Sequence, residues 1–160
     1  MDEYKITSAI NAIDEAKELL REYVDIEYVD MLGLSLAFQH IQEELDNPLA
    51  FYPYEHGGLY LIYWHNELAG CIALRRMNEN NCEIKRLYVR KQFRGHKLGE
   101  KALDYILNEA IRMGYDTAYC DTLVSKGTAV KLYKKMGFVE VEPYYMNPLP
   151  DVIYLRKNLQ

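Results

Sequence analysis

At 160 residues, 49% of them hydrophobic, the chain suits one domain over residues 1–160 that buries roughly 70% of its unfolded surface, and is too short for two such cores. A formal net charge of −5 argues against indiscriminate binding to nucleic acid, where counterion release rewards positive charge. No apolar run approaches the roughly 20 residues that span a bilayer, and Met1-Asp2-Glu3-Tyr4-Lys5 has neither the basic nor the apolar part of a signal peptide, so a soluble, cytoplasmic protein that engages neither membrane nor nucleic acid is expected.

Tyr4 to Thr7 alternates weakly and predicts a first, edge strand. Ile13, Ala16, Leu19, Leu20 and Tyr23 then recur at helical spacing. A second helix runs from about Leu34 to Leu45, with Leu34, Phe38, Ile41 and Leu45 on one face, and Asn47-Pro48 stops it. Loop-forming residues continue through Pro53 to Gly58. Leu59 to Trp64 and Leu68 to Leu74 read as strands on either side of a turn at His65-Asn66-Glu67, and Asn78-Glu79-Asn80-Asn81 marks a hairpin.

Cys82 to Val89 alternates, which predicts Glu83, Lys85, Leu87 and Val89 on one side of a strand and Ile84, Arg86 and Tyr88 on the other. Charges on both faces of a central strand require partners or a cleft. Leu98, Ala102, Leu103, Ile106, Leu107 and Ala110 mark the next helix, closed by Met113-Gly114. Thr117 to Thr122 is a strand, Ala129, Leu132, Tyr133 and Met136 describe a short helix ended by Gly137, and Phe138 to Val141 returns to strand. A turn at Asn147-Pro148-Leu149-Pro150-Asp151 leads to the last strand, Val152 to Leu155. The order is that of a mixed α/β sheet covered by helices.

Cys71, Cys82 and Cys120 lie in apolar runs without metal-ligand spacing, so they read as reduced core thiols and no metal is expected. The fifteen tyrosines gather at Tyr52 and Tyr54, Tyr60 and Tyr63, and Tyr144 and Tyr145. Most tyrosines simply pack, yet such groups also line pockets, since each ring is apolar with a polar tip.

The most informative stretch is the turn Arg94-Gly95-His96-Lys97-Leu98-Gly99 between a strand and a helix. The first N–H groups of a helix have no partner within it, and the helix dipole adds partial positive charge, so a basic, glycine-containing turn here is suited to a phosphate. From Cys82 to Lys101 seven cations stand against two anions, a balance of +5 in a chain of −5. A P-loop is not present, because Gly95 and Gly99 are too close together and Lys101 precedes Ala102.

The segment from Cys82 to Phe138 resembles the core of the GNAT superfamily of acyl-CoA-dependent N-acyltransferases. The motifs that carry the resemblance are Leu87-Tyr88-Val89 followed by Arg94-Gly95-His96-Lys97-Leu98-Gly99, and Ala129-Val130-Lys131-Leu132-Tyr133-Lys134-Lys135-Met136-Gly137-Phe138 downstream. The resemblance implies a mixed, mostly antiparallel, splayed central sheet flanked by helices. It also implies that Arg94, Gly95, His96, Lys97, Leu98 and Gly99 cradle the pyrophosphate of acetyl-CoA, while Leu87, Tyr88 and Val89 pair with the pantetheine arm. By the same resemblance Tyr133 protonates the departing thiolate, and Glu83 matches the position of a general base in some members.

The acceptor it implies is a primary amine of a small molecule or peptide, with Tyr52, Tyr54, Tyr144, Tyr145 and Asn147 as candidate lining residues. A homodimer is compatible with such a domain. Two positions depart from the family pattern: Lys97 replaces its middle glycine, and Lys126 replaces an asparagine that often contacts the pantetheine arm. These departures motivate an alternative, a non-catalytic acyl-CoA sensor or partner-binding module with the same fold.

Overall fold

A computed structural model describes residues 3–27, 35–124, 127–146 and 151–160 of the chain. Thirteen segments follow one another as β1 (Tyr4–Ser8), α1 (Ile13–Glu27), α2 (Ser35–Asp46), α3 (Pro48–Phe51), β2 (Gly58–Trp64), β3 (Glu67–Arg76), β4 (Asn81–Val89), a 3-10 turn (Lys91–Phe93), α4 (Leu98–Arg112), β5 (Thr117–Leu123), α5 (Gly127–Lys135), β6 (Val139–Val141) and β7 (Val152–Asn158). The predicted strands and the four longer helices are all present. The short α3 falls in a stretch expected to be loop, where Pro48 opens the helix with its φ already fixed.

The strands form one sheet in the order β1-β2-β3-β4-β5-β7-β6. Every neighbouring pair is antiparallel except β4 and β5. The hairpin between β3 and β4 is closed by Asn78, whose side-chain oxygen accepts from the N–H groups of Asn80 and Asn81 at 2.9 Å each. An asparagine side chain that imitates a backbone turn in this way is why the sequence signal was strong.

Each face of the sheet carries its own core. On one, Ile62, Ile72, Leu74, Cys82 and Ile84 pack with Leu98, Ala102, Leu103 and Ile106 of α4 and with Tyr133 and Phe138. On the other, Leu59, Leu61, Cys71 and Ala73 meet Ala16, Leu19 and Leu20 of α1 and Ile41 and Leu45 of α2. Leu34 and the side chain of Phe38 lie outside the described residues. All three cysteines are buried and free, and burial pushes the Cys71 and Cys82 thiols up to about 12.

Two features of the sheet create a site. The parallel ladder between β4 and β5 covers only Asn81–Glu83 and Thr117–Tyr119, so the strands part beyond it. On its other side β4 keeps pairing with β3, but the register shifts between Cys71 and Ala73, and Arg86 sits at φ 60°. That is a β-bulge, and it corrects the simple alternation expected from the sequence. Lys85 pairs with Ala73 and Tyr88 with Cys71, both on the α1/α2 face, whereas Leu87 and Val89 pack on the α4 face. One extra residue thus shifts the phase of the strand. Glu83, Lys85, Arg86 and Tyr88 all turn toward α1 and α2, so the charges share one face.

Just beyond the bulge, Gly70 pairs with Val89 at a close backbone approach. A Cβ at Gly70 would lie 2.1 Å from the Tyr88 carbonyl oxygen, far inside van der Waals contact. Gly70→Ala must therefore push β3 off β4, at an expected cost of about 3 kcal/mol or more, measurable as a lower midpoint in urea denaturation.

Candidate functional site

The open side of β4 is built by the bulge and the ladder together. Because the Arg90 N–H donates to Ala69 on β3 at 2.7 Å, the alternation of an antiparallel strand turns the N–H groups of Val89 and Leu87 away from β3, toward the gap before β5. Val89's carbonyl accepts from Arg94 Nε at 3.2 Å on that side. A cavity of about 550 Å³ occupies the gap, walled by Ile84 to Val89 on β4, Asp121 to Leu123 on β5 and the first turns of α4 and α5.

At one end of the cavity the turn leads into α4. Gly95 adopts φ 94°, a left-handed conformation natural for glycine. The backbone N–H groups from Gly95 to Glu100 find no acceptor among the described residues. Gly95, Lys97, Leu98, Gly99 and Glu100 all line the cavity, as does Arg94. Glu100 would repel an anion, but its carboxylate is held by Lys135 Nζ at 3.0 Å, and that bond keeps it below the ordinary carboxylate range.

The seven cations counted in this region have unequal fates. Arg90 is taken by Glu22 and Glu18 of α1 at 2.6 and 2.8 Å, and Arg86 by Glu44 of α2 at 2.7 Å. Arg94 and Lys97 make no ion pair with any described residue and remain at the turn. His96 faces elsewhere: its ring stacks on Trp64 at 4.2 Å with an interplanar angle of 16°.

Lys97 is the N-cap of α4 and holds φ 59°, ψ 28°. This explains why a glycine is natural at that step, since a left-handed non-glycine residue is strained by about 1–2 kcal/mol. Lys97→Gly is expected to raise stability by about 0.5–1 kcal/mol after the entropy cost of glycine, while weakening polyanion binding. Melting curves with and without inorganic pyrophosphate measure both effects.

Tyr133 on α5 stands in the cavity wall, 5% exposed, with its ring edge-on to Phe138 at 5.3 Å. Burial, assisted by Cys120 and Asp121, holds its phenol well above the ordinary tyrosine range, so it stays protonated at any working pH. Glu83 does not line the cavity. It is 1% exposed and accepts from Arg75 Nη2 at 2.6 Å and from Tyr144 at 2.8 Å, with Lys85 Nζ at 3.8 Å. Besides Glu100 at the turn, the carboxylate that lines the cavity is Asp121 on β5, which accepts from Tyr145 at 2.6 Å. It was hidden within an apolar strand pattern, where a lone acid between Cys120 and Thr122 was the available signal.

A second, smaller cavity of about 240 Å³ lies on the α2 side of β4, and Lys85 belongs to the walls of both. Tyr145 lines it. Tyr144 packs against Tyr119, Tyr145 and Tyr154 with ring centroids 5.0–5.3 Å apart. Tyr52 is instead a core residue, 1% exposed beside Glu44 and Arg86, and Tyr54 bonds to Leu59 and Ala9 at the start of β2. Neither lines a cavity described above. Asn147 and Lys126 lie outside the described residues. Among the described residues no group of histidine, cysteine and acidic side chains is placed to hold a metal, and no helix is long and apolar enough to cross a membrane.

Residues 16–138 match the family model described as the acetyltransferase (GNAT) family. An uncharacterised N-acetyltransferase of Schizosaccharomyces pombe is 38% identical over 146 residues, covering 90% of this chain and 86% of the relative. An acetyltransferase structure from Streptococcus agalactiae superposes over 99% of both chains with a TM-score of 0.78 at 18% identity, a likeness of fold. A GNAT family acetyltransferase from Elizabethkingia anophelis, solved with acetyl-CoA bound, is 26% identical with a TM-score of 0.59, covering 72% of this chain and 82% of that one.

Proposed function

Since the chain belongs to the acetyltransferase (GNAT) family, we propose that it transfers the acetyl group of acetyl-CoA to a primary amine of a small molecule or peptide, by direct attack of the amine on the thioester. The observation that carries this reading is the single cavity wall that holds unpaired backbone donors at the turn, the open β4 edge and Tyr133. The residues fit the co-substrate. The six N–H groups from Gly95 to Glu100, with Arg94 and Lys97, supply donors and charge for a pyrophosphate at a helix N-terminus. Leu87 and Val89 offer backbone groups to an extended amide-bearing arm, as an added strand would require.

The same open edge polarises the thioester carbonyl. An N–H of Leu87 or Val89 stabilises negative charge developing on the carbonyl oxygen, and it does so in a site partly shielded from water. Tyr133 gives its proton to the leaving thiolate, and burial guarantees that the proton is there to give. The amine must itself lose a proton before attack. Glu83 takes it through a water, since its carboxylate is buried and does not line the cavity. A second reading assigns this step to Asp121, because Asp121 lines the cavity directly. The acidic limb of the pH-rate profile separates them: it shifts in Glu83→Gln under the first reading and in Asp121→Asn under the second.

Two measurements test the reading as a whole. The chain's single tryptophan, Trp64, stacks on His96 of the turn, so binding at the turn is expected to change its emission. A saturable change with acetyl-CoA and none with acetate is predicted. Initial rates over both substrates are expected to give intersecting lines, as direct attack in a ternary complex demands. Parallel lines would mean an acetyl-enzyme intermediate and reject direct attack.

A further inference from the structure

The smaller cavity beside β4 is lined by charged side chains. At its junction with the larger cavity, the cations Arg75, Lys85 and Arg86 face the carboxylates Glu44 and Glu83. Arg86 grips Glu44 with two hydrogen bonds, at 2.7 and 2.9 Å. Arg75 takes Glu83 at 2.6 Å, and Tyr144 donates to the other oxygen of that carboxylate. Lys85 is left with Glu83 at 3.8 Å, beyond hydrogen-bond length, although its side chain is only 14% exposed. Lys85 therefore holds its ammonium largely out of water with no hydrogen-bond partner among the described residues.

A largely desolvated ammonium without a hydrogen bond is costly. Burial, with Arg86 beside it, holds Lys85 below the ordinary lysine range, which is the electrostatic form of the same cost. Asp121, on the cofactor-cavity side, attracts Lys85 from beyond ion-pair distance and accepts a hydrogen bond from Tyr145. Ile41 and Phe51 add an apolar wall to the smaller cavity, and His40 stands with Glu43 at 3.8 Å on the exposed side of α2. A ligand carboxylate on Lys85 would supply the missing hydrogen bond.

We propose that the smaller cavity is a subsite for an acidic group of the acceptor. The acceptor carboxylate sits on Lys85 Nζ, and the amine passes beside Lys85 into the cavity between β4 and β5. The acceptor class is then a primary amine carrying a carboxylate a few bonds from the reacting nitrogen, of which amino acids are the simplest members. This deepens the transfer reading above and rests on it.

Matched acceptor pairs test the subsite: an amino acid against its carboxamide, compared at equal concentrations of free amine by thiol release from acetyl-CoA. The acid is expected to be favoured about 10- to 100-fold in kcat/KM, the range of one charge-assisted hydrogen bond. Lys85→Met is expected to bring the pair within about two- to three-fold of each other, which is the removal of that bond. Carboxamides used as well as acids, or a preference that survives in Lys85→Met, would overturn the subsite.

A test on the unaltered protein covers the case of a variant that fails to fold. Butanoate, a carboxylate without an amine, is expected to inhibit competitively against the acceptor and not against acetyl-CoA, while butanamide does not inhibit. Equal effects of the two would also overturn the subsite. Absence of thiol release with every amine tried is a different failure: it rejects the transfer reading, and the subsite with it.

Discussion

Tyr133→Phe is expected to lower kcat by roughly 100-fold or more, the usual worth of a positioned general acid, while leaving the affinity for acetyl-CoA within about two-fold. The substitution removes one oxygen from the cavity wall and keeps the ring against Phe138, so packing is conserved. Because burial raises the phenol, Tyr133 stays protonated as pH rises, and the sign follows. Wild-type kcat should climb with deprotonation of the amine and should not fall on an alkaline limb near the ordinary tyrosine range. Single-turnover kinetics together with Trp64 emission separate the chemical step from binding. Unchanged turnover in Tyr133→Phe would remove the residue from the mechanism.

The second large effect is on stability, at Arg86. Arg86 and Glu44 form an ion pair with both side chains less than a tenth exposed. Arg86→Met leaves the Glu44 carboxylate buried without its guanidinium, a loss expected to cost about 3–5 kcal/mol and to lower Tm by roughly 10 °C. Replacing both partners, Arg86→Met with Glu44→Leu, is expected to recover most of that loss, since a well-packed apolar pair often matches a buried ion pair. Burial alone would raise Glu44, but the charge and hydrogen bonds of Arg86 outweigh it and hold the carboxyl below the ordinary range. The stability this contributes is present above the unfolded carboxylate value and is lost as pH falls through the lower, folded one. Acid titration of unfolding should therefore show an increment in the wild type that the double variant lacks.

These two sites differ in how far the sequence reveals them. Tyr133 lies in a motif whose spacing is local, Ala129 to Phe138, and α5 brings those residues together without distant help. The apolar spacing of α4 and the side-chain turn at Asn78 were legible for the same reason. The bulge at Arg86 was not, because reading alternation along a strand presumes one residue opposite one residue. It is set by the pairing of β4 with β3, whose close approach at Gly70 lies sixteen positions earlier in the chain.

Charge partners were equally out of reach. Arg90 looked like part of a phosphate site, yet Glu18 and Glu22, about seventy residues away, consume it. Tyr52 and Tyr54 are candidate pocket residues by the family resemblance, but Tyr52, just after α3, is buried in the core and Tyr54 donates to Leu59 of β2. Lys85, which lines both cavities, carried no local mark beyond a charge on a central strand.

The central claim is catalytic transfer, and the alternative is a protein that binds acyl-CoA without turning it over. Release of free thiol from acetyl-CoA, followed with a diverse panel of amines, amino acids and polyamines, decides between them. Amine-dependent release is predicted, with one N-acetylated product per thiol and loss of the signal in Tyr133→Phe. Saturable acetyl-CoA binding at the turn, with no amine in the panel accelerating thiol release, would contradict it.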